Sequence, residues 1–271
     1  MLSKSLDLDR EAGPALLRLG VRQHSQLAAN LFGRGTPRLP FTIVLTEACG
    51  AQSDEALRQL LAEVSSLDDA DEIKAALADR LTDDQAPTLQ VLLSGRHTVE
   101  DSFVVVGGNA NVELSGHGIA LVFGRATVTT RGEFEVYAVG DAQLTAYDNS
   151  RIDADGSVDV KSYDHVQGVA RGNVTGVARG NSQWQATNAA KITAYDRAEV
   201  NGKDDAVLLG YGNSRVFGLG RTRASLYDRA SGWFDEGSIL DVHGGSISYV
   251  TDSVQVTKRS GTPQLKVWER A

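Results

Sequence analysis

The sequence predicts a mainly β protein: a flat, two-sheeted parallel β-solenoid with a small α-rich N-terminal domain. Three observations lead to this prediction. From residue 101 to 260 the 271-residue chain divides into twenty octads without insertion or deletion. The eighth octad position is Gly, Asp or Asn in eighteen of the twenty, and these residue types accept turn backbone. Between the turns, apolar and polar residues alternate with period two, as in a strand with one buried face. Each octad should therefore form one strand and one corner.

The spacing of tyrosines sets the predicted length of one coil. At the seventh octad position tyrosine occurs only at multiples of sixteen residues, at Tyr147, Tyr163, Tyr195, Tyr211 and Tyr227. A coil of three octads would place Tyr163 beside Thr187, whereas a coil of two octads aligns all five rings. The spacing therefore predicts 16-residue coils, with two short parallel sheets facing each other across a thin core. Ten coils at about 4.8 Å per layer would form a rod about 48 Å long.

The segment before the octads has a helical period instead. Residues 53–64 and 69–81 place leucine, isoleucine and valine at helical spacing, after Ser or Asp residues suited to helix starts. We therefore divide the chain into an α-rich N-terminal domain or cap at 1–96, the octad-repeat solenoid at 97–260 and a C-terminal capping tail at 261–271. Covers are expected because the open ends of a solenoid expose unpaired strand edges. Trp268 is a candidate capping residue of the tail.

Two glycines interrupt the small-large-small order of the inward side chains. Gly168 and Gly176 stand where other octads have a large residue, and Trp184 takes this position in the next octad. Trp184 should lie one coil beyond Gly168 on the same face, so its indole is expected to fill the volume that the glycines leave. The sequence therefore assigns Trp184 to the core.

Composition and charge restrict the function classes. The net charge is −8 with acidic and basic residues interleaved, which disfavours nucleic acid or an anionic membrane as the partner. Because no apolar run approaches the roughly 20 residues of a membrane helix and no secretory leader is recognisable, we expect a soluble, cytoplasmic protein without membrane insertion; association with a particle stays open. The single Cys49 allows no disulfide within the chain, and the five histidines lack metal-ligand spacing. We predict no metal site and no cofactor.

Two octads per coil, with one tyrosine in a context such as LTAYD at 144–148 or LLGYG at 208–212, resemble the repeat domain of bacterial ice-nucleation proteins. The resemblance covers about 101–260 and implies a flat β-solenoid whose stacked tyrosines form a ladder used in self-association. Only the five tyrosines carry over. The regular Thr-x-Thr array with which that family organises ice has one counterpart, at Thr127 and Thr129. Charged residues interrupt the same face elsewhere, which disfavours ice binding.

Carboxylates form two patterns that bear on chemistry. Aspartate stands at the eighth position of six octads, where a turn role is favoured over calcium binding because calcium-binding solenoids use glycine-rich nine-residue repeats. Asp153 and Asp155 point the same way from one strand, as the acid and base of a carbohydrate-active solenoid enzyme would. A polar sheet face also produces such pairs without catalysis, and flat coils lack the long loops that build a cleft. The sequence therefore favours a protein that is not an enzyme.

Outward apolar side chains concentrate in one part of the repeat surface. Val207 and Leu209 belong to one predicted sheet, and Phe217, Leu219 and Trp233 to the other. Such a concentration indicates a docking surface. The five tyrosines and these apolar residues are thus the candidate binding residues of a rigid, non-enzymatic scaffold that forms a homo-oligomer or binds a protein partner. The alternative is a module that binds a glycan, a protein or ice, as part of a phage or secretion apparatus.

Overall fold

The computed structural model describes residues 54–78, 89–235 and 237–267, which all belong to one compact unit, 44–271. Within these described ranges, two helices, α1 (Asp54–Ser65) and α2 (Ala70–Ala78), precede twenty-one strands that form one sheet. The strands are β1 (Gln90–Leu92), β2 (Arg96–Glu100), β3 (Phe103–Val106), β4 (Asn111–Val122), β5 (Thr127–Ala138), β6 (Gln143–Ala146), β7 (Arg151–Ala154), β8 (Asp159–Ser162), β9 (Gln167–Ala170), β10 (Thr175–Ala178), β11 (Gln183–Ala186), β12 (Lys191–Ala194), β13 (Glu199–Gly202), β14 (Val207–Gly210), β15 (Arg215–Gly218), β16 (Arg223–Leu226), β17 (Ser231–Phe234), β18 (Ile239–Gly244), β19 (Ile247–Val250), β20 (Gln255–Gly261) and β21 (Gln264–Val267).

The strands wind into a parallel β-solenoid of about 11 coils, and this confirms the predicted fold class. All pairings are parallel, and between β3 and β19 paired residues are sixteen apart at every rung, as in Gln143↔Asp159. The predicted 16-residue coil is therefore correct. At the two ends of the ladder the offset changes, from fourteen in Gln90↔Val104 to seventeen in Ile247↔Gln264.

Strands β4 and β5 pass through a corner, so they belong to both faces and join all strands into one continuous sheet. Beyond them the strands alternate between two faces. One face, here named the tyrosine sheet, consists of β6, β8, β10, β12, β14, β16 and β18. The opposite sheet consists of β7, β9, β11, β13, β15, β17 and β19. Alternate side chains of each strand are buried between the two faces.

The corner aspartates form turns, as predicted. Asp148 has a φ of 58°, a left-handed conformation that aspartate tolerates better than most residues. Its carboxylate accepts a hydrogen bond from the backbone N–H of Gly132, one coil earlier, at 2.9 Å. The carboxylates of Asp196 and Asp228 accept equivalent bonds from glycine N–H groups sixteen residues earlier, at 3.2 and 3.3 Å. These carboxylates therefore satisfy backbone donors between successive corners.

Trp184 lies in the core with 2% of its surface exposed. Its indole occupies the space beside Gly168, where an added Cβ would lie 2.5 Å from the ring. The indole N–H donates to the Oγ of Ser162 at 2.9 Å. The predicted filling is thus confirmed for Gly168 and wrong for Gly176, whose missing side chain is replaced by the Cδ1 of Ile192, the residue paired with it one coil further on.

Helices α1 and α2 cover the outer surface of the first coils. Their buried side chains are Leu60, Val64, Ile73 and Leu77. These residues form one apolar cluster with outward residues of the first strands, Phe103, Val105, Leu121, Phe123 and Tyr137. Neither described helix is long and apolar enough to span a membrane. The predicted domain segments 1–53 and 79–88, and Trp268 in the predicted tail, lie outside the described residues.

Candidate interaction surfaces

Eight planar side chains occupy the same outward position on successive rungs of the tyrosine sheet. We name them the stacked column: Arg131, Tyr147, Tyr163, Arg179, Tyr195, Tyr211, Tyr227 and His243. Ring centroids of consecutive tyrosines lie 4.9, 5.1 and 4.7 Å apart, and the ring planes differ by 6–12°. The imidazole of His243 continues the stack 4.7 Å beyond Tyr227. The five predicted tyrosines are therefore brought together, because the coil period equals their spacing.

The sequence prediction missed the two arginines and the histidine of the column. The Cζ atoms of Arg131 and Arg179 lie 4.3 and 4.6 Å from the ring centroids of Tyr147 and Tyr195. A guanidinium group is planar and stacks on aromatic rings, so each of these arginines extends the stack from the tyrosine that follows it one coil later. The sixteen-residue spacing of all eight positions was the signal that could have revealed them.

The stacked column presents its ring edges outward. All five tyrosines are half-buried, and within the described part of the chain no hydroxyl of the column hydrogen-bonds to another protein group. Over the same residues Arg131 and Arg179 form no ion pair. Partial burial raises the pKa of the Tyr211 phenol, and the neighbouring Tyr227 and Tyr195 add to the increase. The column is thus a row of ordered polar ring edges with a cation at its first and fourth rungs.

The predicted apolar residues lie on two different surfaces. Val207 and Leu209 are half-buried on β14, on the same sheet face as the stacked column. Phe217 and Trp233 lie on the opposite sheet, where their rings stack with centroids 5.1 Å apart. Leu219, half-buried, follows β15 on that opposite side.

A second stack therefore exists on the opposite sheet, near the C-terminal end of the ladder. Tyr249 extends it with a centroid distance of 5.0 Å from Trp233. The ammonium group of Lys266 lies 5.3 Å above the ring of Tyr249. This stack is built by the same mechanism as the first, because paired rungs place identical outward positions about 5 Å apart.

The carboxylates considered for acid–base chemistry are held in ion pairs. Asp153 is 1% exposed and accepts a hydrogen bond from the guanidinium of Arg171. Burial lowers the pKa of Arg171, but the charge and hydrogen bond of Asp153 outweigh it, so this pKa is raised. Asp155 lies 3.8 Å from the Nε of Arg171. Asp153 is therefore out of contact with solvent and engaged with Arg171.

Two further features of the structure bear on ligand binding. A pocket of about 460 Å³ lies where α1 meets the first corners, lined by residues that include Ala62, Phe123, Tyr137 and Val139. Its lining is mainly apolar. Among the described residues no cluster of three or more His, Cys, Asp or Glu side chains is arranged to hold a metal ion.

Comparison of the chain with protein-family models, curated proteins and solved structures finds no match. The resemblance to ice-nucleation repeats therefore rests on the octad pattern and on the architecture. Of what that resemblance implies, the structure shows a β-solenoid with coils of about 16 residues.

Proposed function

We propose that this protein is a non-enzymatic structural scaffold, a rigid β-solenoid that self-associates through the stacked column. The observation that supports this most is the row of eight planar side chains on one sheet face, in which the rings stack from Tyr147 to Tyr163 and from Tyr195 to His243. Because each tyrosine ring stacks on at least one neighbour of the column, the row is ordered before any partner arrives, and little side-chain entropy is lost on binding. We place the scaffold in the cytoplasm or on a particle, as expected from the sequence.

The stacking also favours a protein partner over a glycan. An aromatic side chain that binds a sugar offers a free ring face, whereas within the column the ring faces lie 4.7–5.1 Å from the next ring. Only the edges and hydroxyl groups remain available. Rows of edges from two copies can pack against each other with the hydroxyl groups as hydrogen-bond donors and acceptors.

Charge and size are compatible with contact between two identical faces. The eight octads that contain the stacked column hold seven Lys or Arg and eight Asp or Glu residues, so two copies of this face repel each other little. Along the solenoid the face covers eight rungs at about 4.8 Å, and along each strand it covers the five residues from the third to the seventh octad position at about 3.3 Å. The face therefore measures about 38 by 17 Å. Two such faces would bury at least about 1,200 Å², which is the lower bound of standard stable interfaces.

A second candidate function is a module that binds another surface through the opposite sheet, for example as part of a phage or secretion apparatus. The stack of Phe217, Trp233 and Tyr249 supports it, because aromatic residues are enriched at protein interfaces. This candidate predicts that substitutions in that stack remove partner binding and leave the mass of the protein alone unchanged.

Light scattering of the full chain tests the leading proposal. The expected mass is that of a discrete oligomer, and Tyr195→Ser, Tyr211→Ser and Tyr227→Ser together should reduce it to the monomer. The matched control changes Gln185 and Asn201 to Ser, because both are half-buried polar residues at outward positions of the opposite sheet. Circular dichroism verifies that each variant keeps its strands. A wild-type monomer at every concentration, or an oligomer that the tyrosine variant leaves intact, would contradict the proposal.

A further inference from the structure

The two arginines and the histidine divide the stacked column unevenly. In chain order the column reads Arg, Tyr, Tyr, Arg, Tyr, Tyr, Tyr, His from residue 131 to residue 243. The cations therefore lie at the first and fourth of eight rungs, toward the N-terminal end. An uneven distribution of charge makes the two possible directions of a partner copy energetically different.

We infer that the partner is a second copy of this chain, bound antiparallel, with the two-fold axis between the rungs of Arg179 and Tyr195. This inference rests on the proposed self-association through the stacked column. An antiparallel arrangement reverses the order of rungs, and only one register overlaps all eight. In that register the column pairs are Arg131 with His243, Tyr147 with Tyr227, Tyr163 with Tyr211, and Arg179 with Tyr195 of the second copy. No arginine faces an arginine.

The two flanking rows of outward residues agree with the same register. They are the third and fifth octad positions of the tyrosine sheet, four and two residues before the column, respectively. A two-fold axis parallel to the strands sets each row against its own reverse. The resulting pairs are Thr127 with Ile239, Gln143 with Arg223, Asp159 with Val207, Thr175 with Lys191, Thr129 with Asp241, Thr145 with Ser225, Lys161 with Leu209, and Val177 with Thr193. Across all three rows, no two Lys or Arg and no two Asp or Glu residues face each other.

A parallel pair whose two stacked columns face each other, with its two-fold axis along the solenoid, would oppose like charges. An axis along the stacked column would set Arg131 against Arg131 and Arg179 against Arg179. An axis along the fifth position would oppose the two copies of Lys161, and one along the third position those of Asp159. Like charges that face each other across an interface cost free energy and suppress that arrangement. Among arrangements in which the two stacked columns face each other, as proposed above, the charge pattern therefore selects the antiparallel pair.

A single-cysteine cross-linking scan of the full chain tests the direction. Cys49, the only native cysteine, is first changed to Ser, and one cysteine is introduced on the fifth-position row in each variant. In the antiparallel register the two copies of residue 177, or of residue 193, lie one rung apart, about 4.8 Å along the axis. The two copies of residue 129 lie seven rungs apart, about 34 Å, and those of residue 225 five rungs, about 24 Å. The native side chains at all four positions are half-buried, so the four introduced cysteines should react with a maleimide at similar rates.

A short bis-maleimide should cross-link Val177→Cys and Thr193→Cys into dimers. For Thr129→Cys and Ser225→Cys the yield of cross-linked dimer should not exceed that of a sample diluted until it is monomeric. Equal cross-linking at all four positions, with an oligomer by light scattering, would overturn the antiparallel inference and leave the proposed self-association standing. A monomer by light scattering would overturn both. An oligomer without cross-linking at residues 177 and 193 would also overturn the inference, because the contact would lie elsewhere.

Discussion

Removing the indole of Trp184 creates a core cavity that a side chain at position 168 should partly refill. Trp184 is 2% exposed, and truncation of a buried tryptophan to alanine costs about 3–5 kcal/mol of the free energy of unfolding. A side chain at Gly168 meets the intact indole, since its Cβ would lie 2.5, 2.5 and 2.6 Å from three ring atoms. Gly168→Leu alone should therefore cost about 1–3 kcal/mol through overpacking.

In the double variant each change relieves the other. Trp184→Ala with Gly168→Leu should unfold at a higher urea concentration than Trp184→Ala alone, with a coupling free energy of about 1–3 kcal/mol. Urea unfolding followed by circular dichroism measures the free energy of unfolding of the wild type, the two single variants and the double variant. Gly176→Leu is the matched control, because its Cβ would meet Ile192 instead of the indole and should couple weakly to Trp184. Additive losses for the 168–184 pair would refute this account of the core.

Three further predictions concern the ion pair, the corners and the tyrosines. Arg171→Met should lower the free energy of unfolding by about 3 kcal/mol because it removes the guanidinium from the buried Asp153, and adding Asp153→Leu should restore most of the loss in urea unfolding. Asp148→Ala should cost about 1–2 kcal/mol by the same assay, since alanine tolerates a φ of 58° poorly and cannot bond to Gly132; Asp148→Gly should cost less. The raised pKa of Tyr211 means that the unfolded chain loses this proton first, so stability should fall above about pH 10, and Tyr211→Phe should reduce that slope in unfolding measured against pH.

The repeat period was predictable because every coil obeys the same two requirements. A left-handed or tight turn must occur at each corner, and small and large side chains must alternate in a thin core. The octad positions of residues such as Asp148 and Trp184 were therefore recognisable in the sequence. The filling of Gly176 by Ile192 was not predictable in the same way. It depends on which neighbouring side chain extends along the solenoid axis. The octad pattern predicts whether a side chain points inward or outward, but it does not predict its direction along that axis.

The site was predictable only in part, for a physical reason. Tyrosine identity revealed five members of the stacked column, whereas Arg131, Arg179 and His243 share with tyrosine only a planar shape, which matters once the rungs are stacked. Alternation correctly assigned Asp153 to an outward position of its strand. Its buried ion pair is formed with Arg171, eighteen residues later on the next coil, and the pattern within one octad contains no information about that contact.

Hydroxyl-radical footprinting of the full chain at low and high protein concentration tests the central claim most directly, since it reports which tyrosines lose contact with water on association. The account predicts that oxidation of Tyr195 and Tyr211, read by mass spectrometry, decreases as the oligomer forms. Tyr249 on the opposite sheet should react equally at both concentrations. Protection of Tyr249 with unchanged oxidation of Tyr195 and Tyr211 would contradict the account.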